Sequence, residues 1–376
     1  MSLRGETAIV GFYELPTLRN YGERSTGGLW AEAARGAIRD AGLRKQDIDG
    51  VISSVETGVP MLLCETLGLT PRYTMCMSVM GASGTSSIGA ASMAVASGLA
   101  NYVLCVFGQS RPQSSSRLNA AAAAAGGGGP ASLGTEWESP FGPVIAANGG
   151  YGLMKQRHMY QYGTTQEQFA KCSVDERFNA LLNENALWKG QPITIEDVLN
   201  SRYTNDPLHL LECVMPCSGA AAVIVTSAAR AKALPNPPVY VLGVGGPATL
   251  KNSVWQAEEV ALSPVVLSAP TAFQMAGYSP KDMQFAEFYD CYTILVMTCL
   301  EDAGICPKGE IGPFYESTDT TYKGTFPINT DGGQISGGQP GGNAGGFRHV
   351  VEATRQIMGR AGARQVAKND LCLVNG

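Results

Sequence analysis

The sequence predicts an α/β fold with largely buried sheets, and three observations support this prediction. Apolar, β-branched runs typical of buried strands alternate with helical stretches along the chain. A segment near the start is repeated in outline 235 residues later. The chain has 376 residues, of which 44% are hydrophobic and 16% charged, so it can bury a large core. This length suits two domains or one large one.

The strand and helix candidates alternate in chain order. The strand candidates are residues 7–12, 103–107, 220–226 and 239–244, and the helix candidates are 29–41, 88–98, 166–182 and 292–303. The clearest linker is Pro235-Asn236-Pro237-Pro238. It divides the chain into an N-terminal half, 1–235, and a C-terminal half, 236–376.

The repeated segment has the form helix, Ala-Gly, short loop with an aspartate, then strand. Ala41-Gly42 precedes Asp47 at the same spacing at which Ala276-Gly277 precedes Asp282. One interpretation is that the chain consists of two related halves. The other is that Ala-Gly is a common way to end a helix and has simply occurred twice.

Composition and charge exclude several classes of protein. A net charge of −5 with scattered Lys and Arg argues against nucleic acid as a partner. We expect no membrane span, because no apolar run reaches 18 residues, and no secretory signal. Ten cysteines, mostly in apolar segments, suggest reduced thiols in a cytoplasmic protein. Cys213 and Cys217 lack a second pair of ligands nearby, so we predict no metal site.

A run of small residues, Gly81-Ala82-Ser83-Gly84, comes just before the first part of a small-residue helix. Small residues at a strand-to-helix turn let a ligand approach the backbone closely. The N–H groups at the start of a helix can bind an anionic or carbonyl oxygen. We therefore predict a ligand-binding turn here.

This turn resembles the nucleophile elbow of the thiolase superfamily, with Gly81 in the place of the cysteine. Over nearly the whole chain the likeness is to the sterol-carrier-protein, or lipid-transfer-protein, branch. The other matching segments are the helix and turn at 151–165, Asp206-Pro207-Leu208 and Ser218-Gly219-Ala220-Ala221. Tyr289-Asp290-Cys291-Tyr292 resembles the family's His-Asp-Cys-Phe motif. Asn329-Thr330-Asp331-Gly332-Gly333 resembles its Asn-x-x-Gly-Gly motif, and Gly338-Gln339-Pro340 resembles its Gly-His-Pro motif. The resemblance implies the thiolase fold, five layers α-β-α-β-α with two similar halves, an inserted loop region at about 110–215, and an obligate dimer.

The reactive positions of the family depart from its pattern. Gly81 replaces the cysteine, Tyr289 the histidine of His-Asp-Cys-Phe, and Gln339 the histidine of Gly-His-Pro. Near Gly376, where family chains usually continue with a glycine-rich turn and a strand, Cys372 is expected in a strand and Asn375 at the start of a turn. Since acyl transfer in a thiolase needs a cysteine nucleophile, the sequence excludes transfer through an elbow cysteine.

The combination of matching glycine segments with these replaced reactive residues resembles the steroid side-chain-cleaving aldolases of this superfamily. It implies retro-aldol cleavage of a β-hydroxyacyl-CoA, with a steroid or similarly bulky acyl group, to a ketone or aldehyde and a short acyl-CoA. No resident cofactor is implied, since the coenzyme A thioester is the substrate. A small partner protein with an OB-fold and a zinc ribbon is implied, forming a heterotetramer around the homodimer.

The predicted site has a catalytic group and a backbone frame. The catalytic candidates are Tyr289, Tyr292, Gln339 and Asp290, and the substrate-binding and oxyanion-frame candidates are Gly81, Ala82, Ser83, Gly84, Gly332, Gly333, Asn343 and Asn375. A tyrosine could act as a base only if its pKa were lowered from about 10. Each candidate also has a structural interpretation, with the tyrosines as packed aromatics and Asp290 as a helix cap. His349 is expected at a surface or helix end.

Two other functions remain open at this stage. One is an acyltransferase with an unusual nucleophile, for which only Cys291 or Cys372 could serve. The other is a non-catalytic acyl-CoA-binding subunit. The strand at 101–107 is expected to pair two subunits as an open edge. The Ala- and Gly-rich segment 119–134 is expected to be a mobile or partner-covered loop.

Overall fold

The computed structural model describes residues 3–54, 60–111, 146–250 and 258–376. Its strands are β1 (Thr7–Glu14), β2 (Gly50–Ser53), β3 (Tyr73–Cys76), β4 (Tyr102–Gln109), β5 (Tyr203–Asn205), β6 (Leu208–His209), β7 (Gly219–Ser227), β8 (Val239–Val241), β9 (Phe285–Glu287) and β10 (Cys372–Val374). Its α-helices are α1 (Thr26–Asp40), α2 (Pro60–Leu67), α3 (Ser83–Ala96), α4 (Ala146–Tyr162), α5 (Gln166–Ala180), α6 (Ile195–Asn200), α7 (Ala228–Ala231), α8 (Val265–Ala276), α9 (Thr293–Asp302), α10 (Ile311–Ser317), α11 (Gly333–Gly337) and α12 (Gly345–Ile357).

Six of these strands form one mixed sheet in the order β3-β2-β4-β7-β1-β8. β2 is parallel to β3 and β4, whereas β7 is antiparallel to β4 and β1. Strands β4 and β7 are buried along nearly their whole length, which explains why their sequences are continuously apolar rather than alternating. The strands predicted at 7–12, 103–107 and 220–226 are confirmed.

Helices cover both faces of this sheet and create five layers. On one face, α1 packs the fully buried Trp30 and Ala33 against Val10 and Ile224. On the other face, α3 and α12 form a central helical layer. α12 also contacts β9 and β10, which pair in parallel, and α8 and α9 pack in the core beyond them. The order of layers is therefore α-β-α-β-α, as predicted.

The repeat seen in the sequence has a matching three-dimensional form. α1 ends before Gly42 (φ +69°), and α8 ends before Gly277 (φ +68°). A short 3₁₀ turn and then a strand, β2 or β9, follow in each copy. β2 lies between two parallel neighbours, and β9 likewise pairs in parallel with β10 and, at one bridge, with Ile328. The two copies thus share one local topology.

Two sequence-based expectations about the sheet need correction. The strand at 101–107, expected to be an open edge, is β4, and it lies in the interior of the sheet between β2 and β7. The edges are β3 and β8. The strand predicted at 239–244 is shorter, Val239–Val241, and pairs with β1 at the edge of the first sheet. The segment 119–134 lies outside the described residues, so its prediction is not tested.

Within the described ranges, no helix combines the length and the apolar character that crossing a bilayer requires. The longest of these helices, α4, carries Lys155, Arg157 and His158.

The two helices of the central layer approach each other closely at Gly84. A Cβ on Gly84 would lie 2.5 Å from the backbone nitrogen of Phe347 and 2.6 Å from its Cα. The backbone of α12 cannot move far there, because α12 is enclosed by both sheets. Gly84 therefore permits the helix contact on which the position of the α12 N-terminus depends.

We expect Gly84→Ala to lower the free energy of unfolding by roughly 1–3 kcal/mol, because the added methyl group would force the two helices apart. Denaturation by urea, followed by circular dichroism, measures this change. Gly27→Ala in α1 is the control, since a Cβ there meets nothing within 4 Å. Equal stability of the two variants would contradict the close approach.

Candidate functional site

The elbow before α3 is held in shape by Ser83. Its hydroxyl accepts the backbone N–H of Val79 at 2.8 Å and lies 2.6 Å from the carbonyl oxygen of Met80. Met80 has a left-handed conformation with φ +55°, which is uncommon for a residue with a side chain. Asn343 lies within 3.1 Å of the same hydroxyl. Ser83 and Asn343 thus support the turn rather than reach toward a ligand.

The two central helices both begin at this elbow. α3 starts at Ser83 and α12 at Gly345, and the N–H of Gly346 donates to the carbonyl of Gly81 at 3.2 Å. Helix N-termini carry a partial positive charge. Two of them therefore face the space around Gly81.

The phenol of Tyr289 fills the space where a side chain at position 81 would stand. A Cβ built on Gly81 would overlap Cζ, Cε2 and the hydroxyl oxygen of Tyr289, closer than the 3.0 Å that real Cβ atoms keep. Gln339 Nε2 donates to the Tyr289 hydroxyl at 3.1 Å. Of the three positions that depart from the thiolase pattern, Tyr289 thus contacts both of the others, 81 and 339.

The electrostatic environment keeps Tyr289 protonated. Burial raises the pKa of its hydroxyl well above the ordinary value of about 10, and the neighbouring Cys291 and Asp290 raise it further. The hydrogen bond from Gln339 lowers the pKa only in part. The lowered tyrosine pKa that a resident base would need is therefore not found at Tyr289. Its chemistry is that of a neutral phenol, which can donate a proton.

Asp290 is fully buried and braces the loop behind Tyr289. It accepts the backbone N–H groups of Gln334 at 2.7 Å and Ile335 at 3.1 Å, in the first turn of α11. Its other oxygen lies 3.1 Å from Nε2 of His349. Burial alone would raise the pKa of Asp290, but His349 and these donors hold it below its usual value. The contacts of Asp290 are those of a positioning carboxylate.

His349 was expected at a surface or helix end, and this prediction is wrong. Its side chain is fully buried on α12, and its ring is in edge-to-face geometry with that of Tyr289, with centroids 6.5 Å apart. Burial lowers the pKa of His349, but its contact with Asp290 and the charges of Asp290 and Glu287 outweigh burial and raise it to about 9. A buried imidazolium therefore lies beside the phenol. No signal in the sequence distinguished His349 from a solvent-facing histidine.

The second predicted frame, Gly332-Gly333, forms a tight turn with φ +97° and +56°. A Cβ on Gly333 would overlap Asp290, and one on Gly332 would overlap Ala180 of α5. The turn leads into α11 and then to Gln339. These glycines position the loop and do not line the cavity described below.

Tyr292, the other predicted tyrosine, lies away from Gly81. Its ring stacks on Tyr151 with centroids 4.5 Å apart, and its hydroxyl donates to Asn148 at 2.6 Å. Burial raises the pKa of Tyr292 far above its usual range. Tyr151, on α4, lines the cavity beside Tyr289; it begins the matching segment 151–165 but was not among the predicted site residues.

An apolar cavity of about 580 Å³ opens beside the elbow. Its walls come from α3, β8 and residues 242–248, α8, and residues 370–376. Of the predicted site residues, Gly81, Ala82, Tyr289 and Asn375 line it. The backbone N–H of Asn375 donates to the carbonyl of Glu287 at 2.9 Å.

The two cysteines considered as nucleophiles are poorly suited to that role. Burial raises the pKa of Cys291 and that of Cys372 well above 9, so both thiols are protonated near neutral pH. The thiolate is the nucleophilic form of cysteine. Among the described side chains, no group of three or more His, Cys, Asp or Glu could hold a metal ion.

Comparison with known proteins decides the family. Residues 246–376 match a family model described as "Thiolase C-terminal domain-like". A steroid side-chain-cleaving aldolase of Thermomonospora curvata is 31% identical over 364 residues, 95% of this chain and 91% of that protein. The chain belongs to the thiolase superfamily. The resemblance inferred from the motifs is confirmed.

Two other relatives have a similar identity to this chain. An acetyl-CoA acetyltransferase of Methanothermobacter thermautotrophicus is 34% identical over 346 residues, 89% of this chain and 86% of that protein. A 17-hydroxy-3-oxo-4-pregnene-20-carboxyl-CoA lyase of Mycobacterium tuberculosis is 31% identical over 373 residues, 95% of this chain and 92% of that protein.

The solved structure described as the Ltp2-ChsH2(DUF35) aldolase has a TM-score of 0.86 and 29% identity, covering 96% of this chain and 91% of that chain. The thiolase fold is thereby confirmed. This structure and two of the relatives, the aldolase and the lyase, also show the enzyme class. The protein is a lyase of the thiolase superfamily.

The pKa of His349 predicts a pH-dependent stability. Because its folded pKa of about 9 exceeds the ordinary 6.5, its contribution is complete below about pH 6.5 and is lost as pH rises through 9. We expect the free energy of unfolding of the native protein, relative to His349→Gln, to fall by roughly 1–3 kcal/mol between pH 6 and pH 10. Urea titrations across this range measure it. A difference that stays flat with pH would mean that His349 is neutral.

Proposed function

We propose that the protein cleaves a β-hydroxyacyl-CoA thioester by a retro-aldol reaction, without a cysteine nucleophile. The products are a ketone or aldehyde and a shorter acyl-CoA. One observation carries the proposal: the protonated phenol of Tyr289 occupies the side-chain space of position 81, at the N-termini of α3 and α12. A thiolase-like site in which a proton donor replaces the nucleophile suits carbon–carbon cleavage better than acyl transfer.

In the proposed reaction the Cα–Cβ bond breaks, and its electron pair moves onto the thioester as an enolate. Preorganised dipoles stabilise such an oxyanion without any covalent bond. The N-termini of α3 and α12 can supply these dipoles at the elbow. The β-carbon becomes the carbonyl carbon of the released ketone or aldehyde.

Tyr289 moves the proton between the two reacting centres. Its phenol gives its proton to Cα and recovers one from the β-hydroxyl group, so the enzyme ends in its starting state. A neutral phenol can perform this relay, which agrees with the raised pKa of Tyr289. Gln339 holds the phenol oxygen in place through its amide N–H. General acid–base groups of this kind typically contribute 10²–10⁴-fold to a rate.

For the substrate, we propose a steroid side chain or a similarly bulky acyl group on coenzyme A. The cavity beside Tyr289 supports this choice, since about 580 Å³ with mainly apolar walls lies within the range for sizeable ligands. The names of two relatives, a steroid side-chain-cleaving aldolase and a pregnene-carboxyl-CoA lyase, point in the same direction. The thioester is the substrate, and the proposed reaction needs no resident cofactor.

We further propose that the chain forms a homodimer and binds a small OB-fold and zinc-ribbon protein in a heterotetramer. The related Ltp2-ChsH2(DUF35) structure, which names a second protein, supports a partner. Strand β3 supports a dimer, because it is an edge of the first sheet. Next to it, Met80 is 81% exposed. An exposed edge strand presents unpaired backbone groups that can pair with another chain.

The first test separates the two tyrosines. We expect Tyr289→Phe to lower kcat by roughly 10²-fold or more, because it removes the proton that the relay transfers. Tyr292→Phe is the matched control and should keep turnover within a few-fold, since its hydroxyl contacts Asn148 instead. Steady-state assays with a steroid β-hydroxyacyl-CoA and the partner present measure both. Near-normal turnover of Tyr289→Phe would place the proton relay elsewhere.

The second test concerns covalent chemistry. We expect no acyl-enzyme intermediate and no thiolysis of acetoacetyl-CoA, because no thiol stands at position 81. Intact-mass spectrometry after mixing with acyl-CoA checks for an adduct. An acylated Cys291 or Cys372 would favour the acyltransferase alternative, and binding without turnover would favour the non-catalytic one.

The third test concerns assembly. Light scattering on the isolated chain should give about twice the monomer mass of 39.5 kDa. Co-expression with the small partner should raise both solubility and activity. A fully active monomer would contradict the proposed assembly.

A further inference from the structure

We propose that positions 81 and 289 form a mutually exclusive pair that selects the type of reaction. The absence of a side chain at Gly81 is the condition for placing the Tyr289 phenol at the elbow, and a thiol at 81 excludes that phenol. This inference rests on the proposed function only where it speaks of catalysis. The steric part stands independently.

The backbone does not explain the glycine at position 81. Gly81 is not among the residues with positive φ, so a residue with a side chain could adopt its conformation. The three atoms nearest to a methyl group placed there all belong to Tyr289. At Gly84, in contrast, the nearest atoms include the backbone of Phe347. The tyrosine ring is therefore the nearest obstacle to a side chain at position 81.

At the elbow the ring of Tyr289 is held by several neighbours, and it also borders the cavity. Its Cε2 atom lies 2.8 Å from the position of a Cβ on Gly345, so the N-terminus of α12 closes one side. Gln339 holds its hydroxyl at 3.1 Å, and the His349 ring is in edge-to-face geometry with the Tyr289 ring, with centroids 6.5 Å apart. An added methyl group at position 81 would therefore push the phenol out of the elbow.

Two arrangements of side chains at positions 81 and 289 fit the same backbone. With glycine at 81, the phenol of Tyr289 stands at the start of α3. With cysteine at 81 and a small residue at 289, a thiol would stand there instead, and a helix N-terminus lowers the pKa of a thiol. That thiolate could attack the thioester carbonyl, forming a C–S bond to Cys while the C–S bond to coenzyme A breaks. The released coenzyme A thiolate then takes up a proton.

A double-mutant cycle in thermal stability tests the steric part. Gly81→Ala should lower the melting temperature by roughly 2–6 °C, because the added methyl group overlaps the ring of Tyr289. In the Tyr289→Ala background, where the ring is gone, Gly81→Ala should have no effect. Gly84→Ala is the control and should lower the melting temperature in both backgrounds. If Gly81→Ala changes the melting temperature equally in both backgrounds, or in neither, the pair is overturned, provided that the Tyr289 ring has kept its place.

A crystal structure of Gly81→Ala shows whether the Tyr289 ring has moved. A displaced Tyr289 ring supports the pair, even at unchanged melting temperature, and a ring in its original place overturns it. Turnover gives the catalytic readout, with a loss of roughly 10²-fold expected when the phenol is displaced. If Tyr289→Phe is fully active, the proposed function fails, while the stability cycle and the crystal structure still decide the steric pair.

Peptide mapping by mass spectrometry tests the choice of reaction. After mixing with acetyl-CoA, Gly81→Cys combined with Tyr289→Ala should carry an acetyl group at position 81. Gly81→Cys alone should fail to place its thiol at the elbow and remain unmodified there. Acetylation of both variants, or of neither, would overturn the claim that this pair selects the reaction.

Discussion

The site depends on charges that α12 carries into the interior. This helix lies between two sheets, yet Arg348, His349 and Glu352 on it are buried. Each has a partner: Arg348 pairs with Asp331, His349 with Asp290, and Glu352 with Arg364. An unpaired charge in such a place costs several kcal/mol, so the segments that carry the partners are held where the pairs can form. Two of those segments, the ones with Asp290 and Asp331, flank Tyr289 and lead to Gln339.

The two halves of the chain contribute different things to the elbow. The first half supplies backbone, a turn braced by Ser83 and a helix start without a reactive side chain. The second half supplies the side chains of Tyr289 and Gln339. They meet because α3 and α12 touch at Gly84, where a single methyl group would separate them. Packing in the central layer thus fixes the distance between the proton donor and the helix dipoles proposed to stabilise the enolate.

Much of the fold could be predicted because it follows from local patterns. Continuous apolar runs indicated the inner strands, and the Ala-Gly stops indicated the ends of α1 and α8. Strand order is set by pairing over long distances, so the interior position of β4 was missed. His349 was misplaced because α12 has the amphipathic pattern of a surface helix, whereas its polar face is buried against paired charges. The motif positions located Tyr289, Gln339 and Gly81, but the sequence could not show that they touch. It also could not show that burial raises rather than lowers the tyrosine pKa.

The overlap between position 81 and Tyr289 restricts how such a site could have arisen. If the ancestor carried the cysteine and histidine of the family pattern, the two replacements could not occur in either order with equal ease. A tyrosine introduced first would meet the cysteine side chain, which would cost stability and keep one of the two side chains out of the elbow. A glycine introduced first leaves a small vacancy that folding tolerates, at the loss of the old activity. The easier order is therefore glycine first and tyrosine second, and the protein between the two steps has no nucleophile. This suggests that a second copy of the gene, free of selection for thiolysis, was present when the change occurred.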